Sequence, residues 1–398
     1  MNKRILYIDG LRGLACIFVF INHFLMAFFP ASFLGNDAVT HFDIGIEAWY
    51  SQAPVSAITN GNFWVCVFFV VSAFVISYGI LKKSEGNTEE YHLSLAKSFI
   101  KRYPRLMLPV FLVCVVILLV SWCGLFANNS AAAITGSSLM QGRYAFRLSL
   151  KELFASALVK IWLFSDETFS NSFWMLTTLF LGGFLSSILS IMAGKKNRHM
   201  FLLYGFFALL LASVGSLYLT FVFGTMLAYI VVRKESWLER IQSSTPGIVC
   251  AVLMLLFGLF LGGYPSGVIP TNIYRFLNHL PDTISAYEFY HMIGAALITG
   301  AIFCLSGIQK FLSAKPIQFL GNISFAVYLL NLPLVFSLSS GLAIIFYNTQ
   351  LVRNYGLLAL LIFVISTVSL LLLSYLFHRF VEPVCDKITS AIVSYFIQ

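Results

Sequence analysis

Residues 9–23 read DGLRGLACIFVFINH and begin an apolar run long enough to cross a bilayer. The run carries two charged residues, Asp9 and Arg12, near its start and a single histidine, His23, well inside it. About 20 predominantly apolar residues are enough to span the hydrocarbon core as a helix. The stretch therefore predicts a transmembrane helix with a histidine near the middle of the membrane.

The composition of the whole chain agrees with this start. Of 398 residues, 59% are hydrophobic and only 10% are charged, whereas a soluble domain has about 25% charged residues. The seven cysteines stand singly, without a CxxC pair, so neither a zinc site nor a disulfide framework is indicated. The net charge of +9 is dispersed between apolar runs, which argues against nucleic acid as a partner. The sequence predicts an integral membrane protein in contact with the lipid bilayer.

Ten apolar segments are candidates for spans, and together they predict an all-α helical bundle. No separate soluble domain is indicated, so residues 1–398 are interpreted as one membrane domain. The first segment is too long for a signal peptide and has no clear cleavage site. The ten segments lie near 11–30, 62–81, 105–126, 172–193, 199–213, 215–233, 246–263, 288–307, 322–346 and 354–377.

The basic residues predict the orientation of these spans. With ten spans, 19 of the 25 Lys and Arg residues fall on the side that holds both termini. Cytoplasmic loops carry the excess of Lys and Arg. Both termini are therefore expected in the cytoplasm.

His23 follows Arg12 by eleven residues, which is about three helical turns, so both side chains share one face of the first span. A histidine at this depth can take and return a proton. The alternative is a neutral histidine that bonds two helices together. Asp9 and Arg12, three residues apart, can form an ion pair at the cytoplasmic edge, which serves the site or only anchors the helix.

A second cluster of charge lies in KRYPRLMLP (101–109) at the predicted mouth of the third span. Arg102 and Arg105 can present two planar guanidinium groups to one anionic ligand, with Lys101 beside them. Pro104 falls where the span is predicted to start, which favours a helix N-terminus with free N–H groups for a phosphate. Positive-inside anchoring is the alternative, and it is the preferred interpretation for Lys82 and Lys83.

Two further polar features lie inside spans. Ser72 stands among phenylalanines in VFFVVSAFVIS (67–77), where a small residue permits a close helix contact or lines a narrow channel. Ser324, Tyr328 and Asn331 form a polar stripe along one face of the ninth segment. Such a stripe binds helices together or orients a substrate by hydrogen bonds.

These motifs, in this order, resemble the signatures of the acyltransferase 3 family of polytopic bacterial membrane O-acyltransferases. The first is DGLRGLACIFVFINH, and GNFWVCVFFVVSAFVIS (61–77) and KRYPRLMLP follow it. FWMLTTLFLGGF (173–184) stands where the family has a tryptophan-containing span, and GNISFAVYLLNLP (321–333) stands at its late signature. The resemblance runs from about residue 7 to 383.

The resemblance implies an enzyme of the bacterial plasma membrane that moves an acyl group, usually acetyl, from acyl-CoA to a hydroxyl. The implied acceptor is a cell-surface glycan or its lipid-linked precursor, and no bound cofactor or metal is expected. His23 would be the catalytic histidine, with Arg12 and Asp9 as its partners in the motif. His23 would either deprotonate the acceptor or carry the acyl group covalently.

The other motif residues divide between the two substrates in this interpretation. The donor side would comprise Lys101, Arg102, Arg105 and Ser72. The acceptor side would comprise Trp174, Ser324, Tyr328 and Asn331.

Three positions depart from the pattern of the family. Ala73 stands where many members have glycine, Leu179 where many have glutamate, and Asn331 where many have histidine. A repurposed member without acyl transfer is therefore one alternative. Residues that could replace the missing groups are Thr177, Thr178, Tyr328, Glu288 and His291.

Two function classes compete with the enzyme. A transporter or flippase for a lipid-linked glycan would also have many spans with scattered polar residues, but it more typically shows paired repeats with interrupted helices. A structural or sensing membrane protein would not require the alignment of Arg12 with His23.

Overall fold

A computed structural model of the chain describes residues 5–42, 44–194, 199–266, 270 and 272–397. All regular secondary structure in these ranges is helical, with no strand among them. The all-α prediction is therefore confirmed. Of the residues used for the orientation, Lys3, Arg4, Lys195, Lys196 and Arg198 lie outside the described ranges.

The described residues contain eight helices that are long and apolar enough to cross a membrane, together with two shorter apolar helices. Helices suit these apolar runs because in lipid every backbone N–H and C=O must bond within its own segment. The long helices are α1 (Leu6–Phe28), α2 (Gly61–Lys83), α3 (Thr88–Trp122), α4 (Trp174–Ala193), α7 (Thr245–Gly262), α8 (Ala286–Cys304), α9 (Lys315–Asn348) and α10 (Tyr355–Phe396). The shorter ones are α5 (Met200–Ser213) and α6 (Leu219–Arg233).

Helix α2 is the centre of the bundle, and α7 and α10 lie at its edge. In the most apolar stretch of α2, 72% of the residues are buried, and the helix packs against α1, α4, α6 and α8. The corresponding shares are 22% for α7 and 28% for α10. The exposed side chains of these two edge helices are largely apolar, as expected for surfaces that face lipid.

Helix α3 differs most from its predicted bounds, because it begins at Thr88 and not near residue 105. The side chain of Asn87 accepts a hydrogen bond from the N–H of Glu89 at 3.0 Å, and Glu89 and Glu90 occupy the first turn. Such a cap and acidic turn stabilise a helix start. The expectation that Pro104 marks a helix N-terminus with free N–H groups is therefore wrong, since Pro104 lies inside α3. A search for apolar runs does not detect a polar first half.

Helix α10 also extends beyond its prediction. It passes through a π-helical turn at Phe377–Val381 and continues as an amphipathic segment, Glu382–Phe396. This segment packs against α3, where Arg105 Nε lies 4.0 Å from Asp386 Oδ1. The start of α1 and the end of α10 consequently lie at the same end of the bundle, where both contribute to one cavity.

Helices α1 and α9 approach each other through glycines. A Cβ atom added to Gly13 would lie 2.4 Å from the backbone nitrogen of Gly321, and one added to Gly321 would lie 2.5 Å from the carbonyl oxygen of Asp9. Glycines of this kind allow backbones of membrane helices to pack in direct contact. The contact fixes how far α1 is shifted along α9.

This contact predicts a different response to the same substitution at two glycines. Gly13→Ala places a Cβ against backbone that cannot move aside, and overpacking of this kind destabilises by about 1–3 kcal/mol. Gly205→Ala in α5 meets no atom within 4 Å. We expect Gly13→Ala to lower the thermal stability of the purified protein in detergent, measured by fluorescence-detected size exclusion after heating. Gly205→Ala is the matched control, and equal melting temperatures for the two variants would contradict the packing argument.

Candidate functional site

A cavity of about 500 Å³ opens at the end of the bundle where α1 begins. Helices α1, α2, α3, α4, α9 and α10 supply its walls. Six of the predicted catalytic and substrate-binding residues line it, namely Arg12, Ser72, Lys101, Arg102, Arg105 and Ser324. The fold therefore brings together residues that lie up to 312 positions apart in the chain.

The mouth of this cavity is rich in positive charge. Arg12, Lys101, Arg102 and Arg105 line it, as predicted. Lys83 lines it as well, although the sequence favours a role for Lys83 as a membrane anchor. Lys83 Nζ donates a hydrogen bond to Ser94 Oγ at 2.7 Å. Two carboxylates that the sequence did not indicate, Glu382 and Asp386 of α10, also line the cavity. Five cations against two anions leave a net positive field that favours an anionic ligand.

Arg12 is fixed to helix α9 at the inner wall of the cavity. Its Nε donates to Ser324 Oγ at 3.1 Å and its Nη2 donates to the carbonyl oxygen of Gly321 at 3.1 Å. Asp9 Oδ1 lies 3.6 Å from the same Nη2, so the predicted ion pair is present. The planar guanidinium is therefore held in one orientation by both helices.

Arg102 and Arg105 line the same cavity but are held differently. The guanidinium of Arg102 lies over the ring of Phe184 at 5.1 Å, and its Nη2 is 3.4 Å from Ser187 Oγ. Gly183 makes room for it, because a Cβ there would lie 1.3 Å from Arg102 Nη1. The side chain of Arg105 is 65% exposed. Arg102 is thus a fixed cation inside the cavity, and Arg105 is a solvent-exposed one at its rim.

His23 forms a direct contact with Asn331. His23 Nδ1 lies 2.6 Å from Asn331 Oδ1, while Asn331 Nδ2 donates to the carbonyl oxygens of Tyr328 and Val327 at 2.6 and 3.2 Å. Only the amide nitrogen can donate to these two carbonyls, so the amide oxygen must face His23. Nδ1 therefore carries a proton, and Nε2 keeps a lone pair that can accept one.

His23 does not line the large cavity. Helices α1 and α2 run antiparallel, because the rings of Phe18 and Trp64 have centroids 4.5 Å apart and, further along α1, Asn22 contacts the earlier α2 residue Gly61. The innermost α2 residue of the cavity is Phe68, which this register places level with about residue 14 of α1. His23 lies nine residues further, or about 13 Å deeper at 1.5 Å per residue.

Two other residues of the predicted acceptor side also lie outside the cavity. The hydroxyl of Tyr328 donates to the carbonyl oxygen of Ser172, just before α4, and its side chain is buried. Trp174 is the first residue of α4 and packs against the hydrophobic core. Tyr328 thus belongs to the layer between the cavity and the contact of His23 with Asn331.

The structure shows where two of the positions that depart from the family pattern lie, and where the residues that could replace the missing groups lie. Leu179 lines the cavity, and Ala73 packs against α6, where a Cβ on Gly224 would lie 2.6 Å from Cβ of Ala73. Thr177 Oγ1 donates to the carbonyl oxygen of Ile161 at 2.5 Å. Thr178 is buried in α4, while Glu288 lies in the first turn of α8 and does not line the cavity.

His291 belongs to a second polar cluster that the sequence did not show. Its Nδ1 lies 3.0 Å from Asn62 Nδ2, and its Nε2 lies 3.1 Å from the carbonyl oxygen of Tyr264. Asn60 contacts the same Nε2 at 3.3 Å and accepts a hydrogen bond from Tyr287. Both ring nitrogens are engaged, which is the arrangement of a histidine that bonds helices together.

The described residues contain no group of three or more His, Cys, Asp or Glu side chains that could hold a metal ion. The polar groups of the site are arginines, lysines, hydroxyls, the carboxylates of Glu382 and Asp386, the amide of Asn331 and one imidazole. These groups can bind an anion and transfer a proton.

Fold and site together define a polytopic membrane protein with a basic cavity at one end and a histidine further in. A family model described as an acyltransferase domain, that of the acyltransferase 3 family, matches residues 5–379. The chain belongs to this family and is an acyltransferase.

Two named relatives agree with this assignment. Acyltransferase clz18 of Cochliobolus lunatus is 22% identical over an alignment of 448 residues that covers 96% of this chain and 94% of the relative. Acyltransferase R4 of Phoma sp. is 25% identical over 158 residues, which cover 38% of this chain and 34% of the relative. No solved structure matches this chain.

The contact between His23 and Asn331 predicts energetic coupling. Asn331→Ala removes the acceptor of the Nδ1 proton and leaves a polar group unsatisfied in the membrane, so the two single variants should not be additive. From known coupling between contacting residues we expect about 0.5–3 kcal/mol. The measurement is a double-mutant cycle of His23→Ala and Asn331→Ala in unfolding by a denaturing detergent. A cycle with the exposed Asn348→Ala of α9 is the control and should be additive. Additivity in both cycles would refute the contact.

Proposed function

We propose that the protein is an O-acyltransferase that moves an acyl group, most simply acetyl, from acyl-CoA to a hydroxyl of a cell-surface glycan or its lipid-linked precursor. In this proposal it lies in a bacterial plasma membrane with both termini in the cytoplasm. The basic residues support that orientation, since most of them fall on the side of the termini. The cavity mouth then faces the cytoplasm, where acyl-CoA is available.

The observation that carries the proposal is the arrangement of charge along α1. Arg12 lies in the wall of a cavity whose mouth holds four further cations, and His23 lies on the same helix face, further into the membrane. CoA has several phosphate charges at one end and a neutral pantetheine arm at the other. A basic mouth followed by an apolar interior suits such a molecule, because Arg and Lys bind phosphate and the arm requires no charge.

The chemistry follows from the lone pair on His23 Nε2. The imidazole removes the proton from the acceptor hydroxyl while the hydroxyl oxygen attacks the thioester carbonyl. A new C–O bond forms, the C–S bond breaks, and the thiolate of CoA leaves with the acyl carbon transferred. The proton held by His23 then passes to the thiolate, which gives CoA and an ester. Asn331 holds Nδ1–H throughout and so keeps the base in the correct tautomer.

The separation of the cavity from His23 adds a condition to the proposal. The thioester must reach Nε2, so the layer that contains Tyr328 and Phe68 has to open for each transfer. A closed layer between donor and base also excludes water from the reactive thioester before the acceptor arrives.

Loss of the imidazole tests the chemistry. General base catalysis contributes about 10²–10⁴-fold to a rate, so His23→Ala should lower acyl transfer by that factor. Wild type, His23→Ala and His279→Ala would be produced at matched levels in a host that lacks the gene, and ester-linked acyl groups on its surface glycans would be measured. His279 is exposed in an outer loop and is the control. Glycans that are acylated equally by His23→Ala and wild type would exclude this role of His23.

Arg102 tests the donor site. Arg102→Gln keeps a polar side chain over Gly183 but removes the charge, so we expect the KM for acetyl-CoA to rise about tenfold, which corresponds to about 1.4 kcal/mol. The measurement is thiol release from acetyl-CoA by protein in proteoliposomes with acceptor present. Arg147→Gln, near Trp122 outside the cavity, should leave KM unchanged. A drop in kcat alone for Arg102→Gln would place Arg102 outside donor binding.

A further inference from the structure

A recess of about 360 Å³ adjoins the outer end of the basic cavity, between the last residue of α2 and the first half of α3. The cavity and the recess share Lys83, Ser94, Ser98 and Lys101 as lining residues. Lys97 lines the recess but not the cavity. We call this space the lysine recess. A ligand that fills the mouth of the cavity can extend into it.

Three lysines from two helices converge on the lysine recess. Lys83, Lys97 and Lys101 line it, and none of them forms an ion pair in the part of the chain that the structure describes. Glu90 is the one carboxylate among its described lining residues. Lys97 and Lys101 stand one helical turn apart, where like charges destabilise a helix. Anchoring at the cytoplasmic surface requires lysines on this side of the membrane but does not require them to meet, whereas a bound anion would offset their repulsion.

The arginines of the cavity follow the lysines along the same helix. Arg105 lies one turn after Lys101 on α3, which is about 6 Å at 1.5 Å per residue. Arg102 and Arg105 line the cavity itself, and Lys97 lies one turn further out. The wall of α3 therefore offers two successive groups of cations, with lysines outside and arginines inside. Such a wall suits a ligand that carries two separate phosphate groups.

CoA has this distribution of charge. Its ribose carries a 3′-phosphate at one position and, at another, the diphosphate that leads to the pantetheine arm. We propose that the lysine recess binds the 3′-phosphate of CoA, while Arg102 and Arg105 bind the diphosphate and the arm extends into the cavity. This assignment rests on the proposed function, because it concerns one end of the donor named there. It also makes the site selective, since an acyl carrier protein bears the same phosphopantetheine arm without a 3′-phosphate.

A phospholipid headgroup is the other source of a phosphate at this end of the bundle. It fits the recess less well, because its two acyl chains require an apolar wall. Leu93 is the one apolar residue among the described residues that line the recess. The nucleotide end of CoA requires no such wall, so the composition of the recess favours the nucleotide.

The test measures binding by the full chain, purified in nanodiscs of phosphatidylcholine. Displacement of radiolabelled acetyl-CoA by unlabelled CoA and by 3′-dephospho-CoA gives the two affinities. Loss of the charge-assisted hydrogen bonds to one phosphate should cost about tenfold in affinity, so we expect CoA to bind more tightly than 3′-dephospho-CoA by that factor. Equal affinities would overturn the proposal. Equal affinities together with weaker binding of both ligands in phosphatidylglycerol nanodiscs would assign the recess to a lipid headgroup.

Double variants locate the 3′-phosphate. Lys97→Gln/Lys101→Gln should lower the affinity for CoA about tenfold and leave that for 3′-dephospho-CoA unchanged, so that the preference disappears. Lys97→Arg/Lys101→Arg keeps the charge and should keep the preference. Lys310→Gln/Lys315→Gln removes the same charge from two exposed lysines outside the cavity and the recess and is the control. A preference that survives Lys97→Gln/Lys101→Gln would overturn the proposal.

Binding requires no acyl transfer, so failure of this proposal is distinguishable from failure of the proposed function. A protein that prefers CoA as expected but transfers no acyl group would retain the 3′-phosphate site and lose the proposed enzyme activity. A protein that transfers acyl groups and binds CoA and 3′-dephospho-CoA equally would lose only the 3′-phosphate site.

Discussion

The direct backbone contact of α1 with α9 determines the rest of the site. Gly13 and Gly321 allow the two helices to touch, and this contact sets one register between them. In that register Arg12 reaches Ser324 and the carbonyl of Gly321, and His23 reaches Asn331. Two helices separated by side chains could slide by a fraction of a turn, and neither pair would then form. The polar stripe of α9 thus serves first to hold α1.

The sequence alone predicts the parts of this arrangement that depend on one helix. Helical periodicity places Arg12 and His23 on one face, and apolar runs locate the spans, because both are local properties of the chain. The start of α3 could not be predicted in this way. Its polar first half is stabilised by the cap at Asn87 and by packing against the end of α10. A hydropathy scan detects lipid exposure and misses a helix that continues into water.

Partners that lie far apart in the chain could not be predicted either. Asn331 was expected on the acceptor side, but nothing in the sequence says that its amide oxygen faces His23. The sequence does not indicate Asp386 and Glu382, although they line the basic cavity, because they lie in a segment that continues α10 beyond the π-helical turn at Phe377–Val381. Asn60 and His291 are 231 residues apart and form their cluster only after α2 packs on α8.

Leu179 and Asn331 are neutral residues of the site, at two positions where the sequence departs from the pattern of the family. The resemblance implies a glutamate at the first position and a histidine at the second. A charged side chain deep in the bilayer is costly, whereas an amide paired with a neutral imidazole satisfies both groups without net charge. Two histidines in contact would compete for the same proton. The amide of Asn331 does not take up a proton, so it does not compete with His23. With one titratable ring and one fixed partner, His23 Nε2 is the basic atom of this contact, and the positive charges remain at the mouth of the cavity.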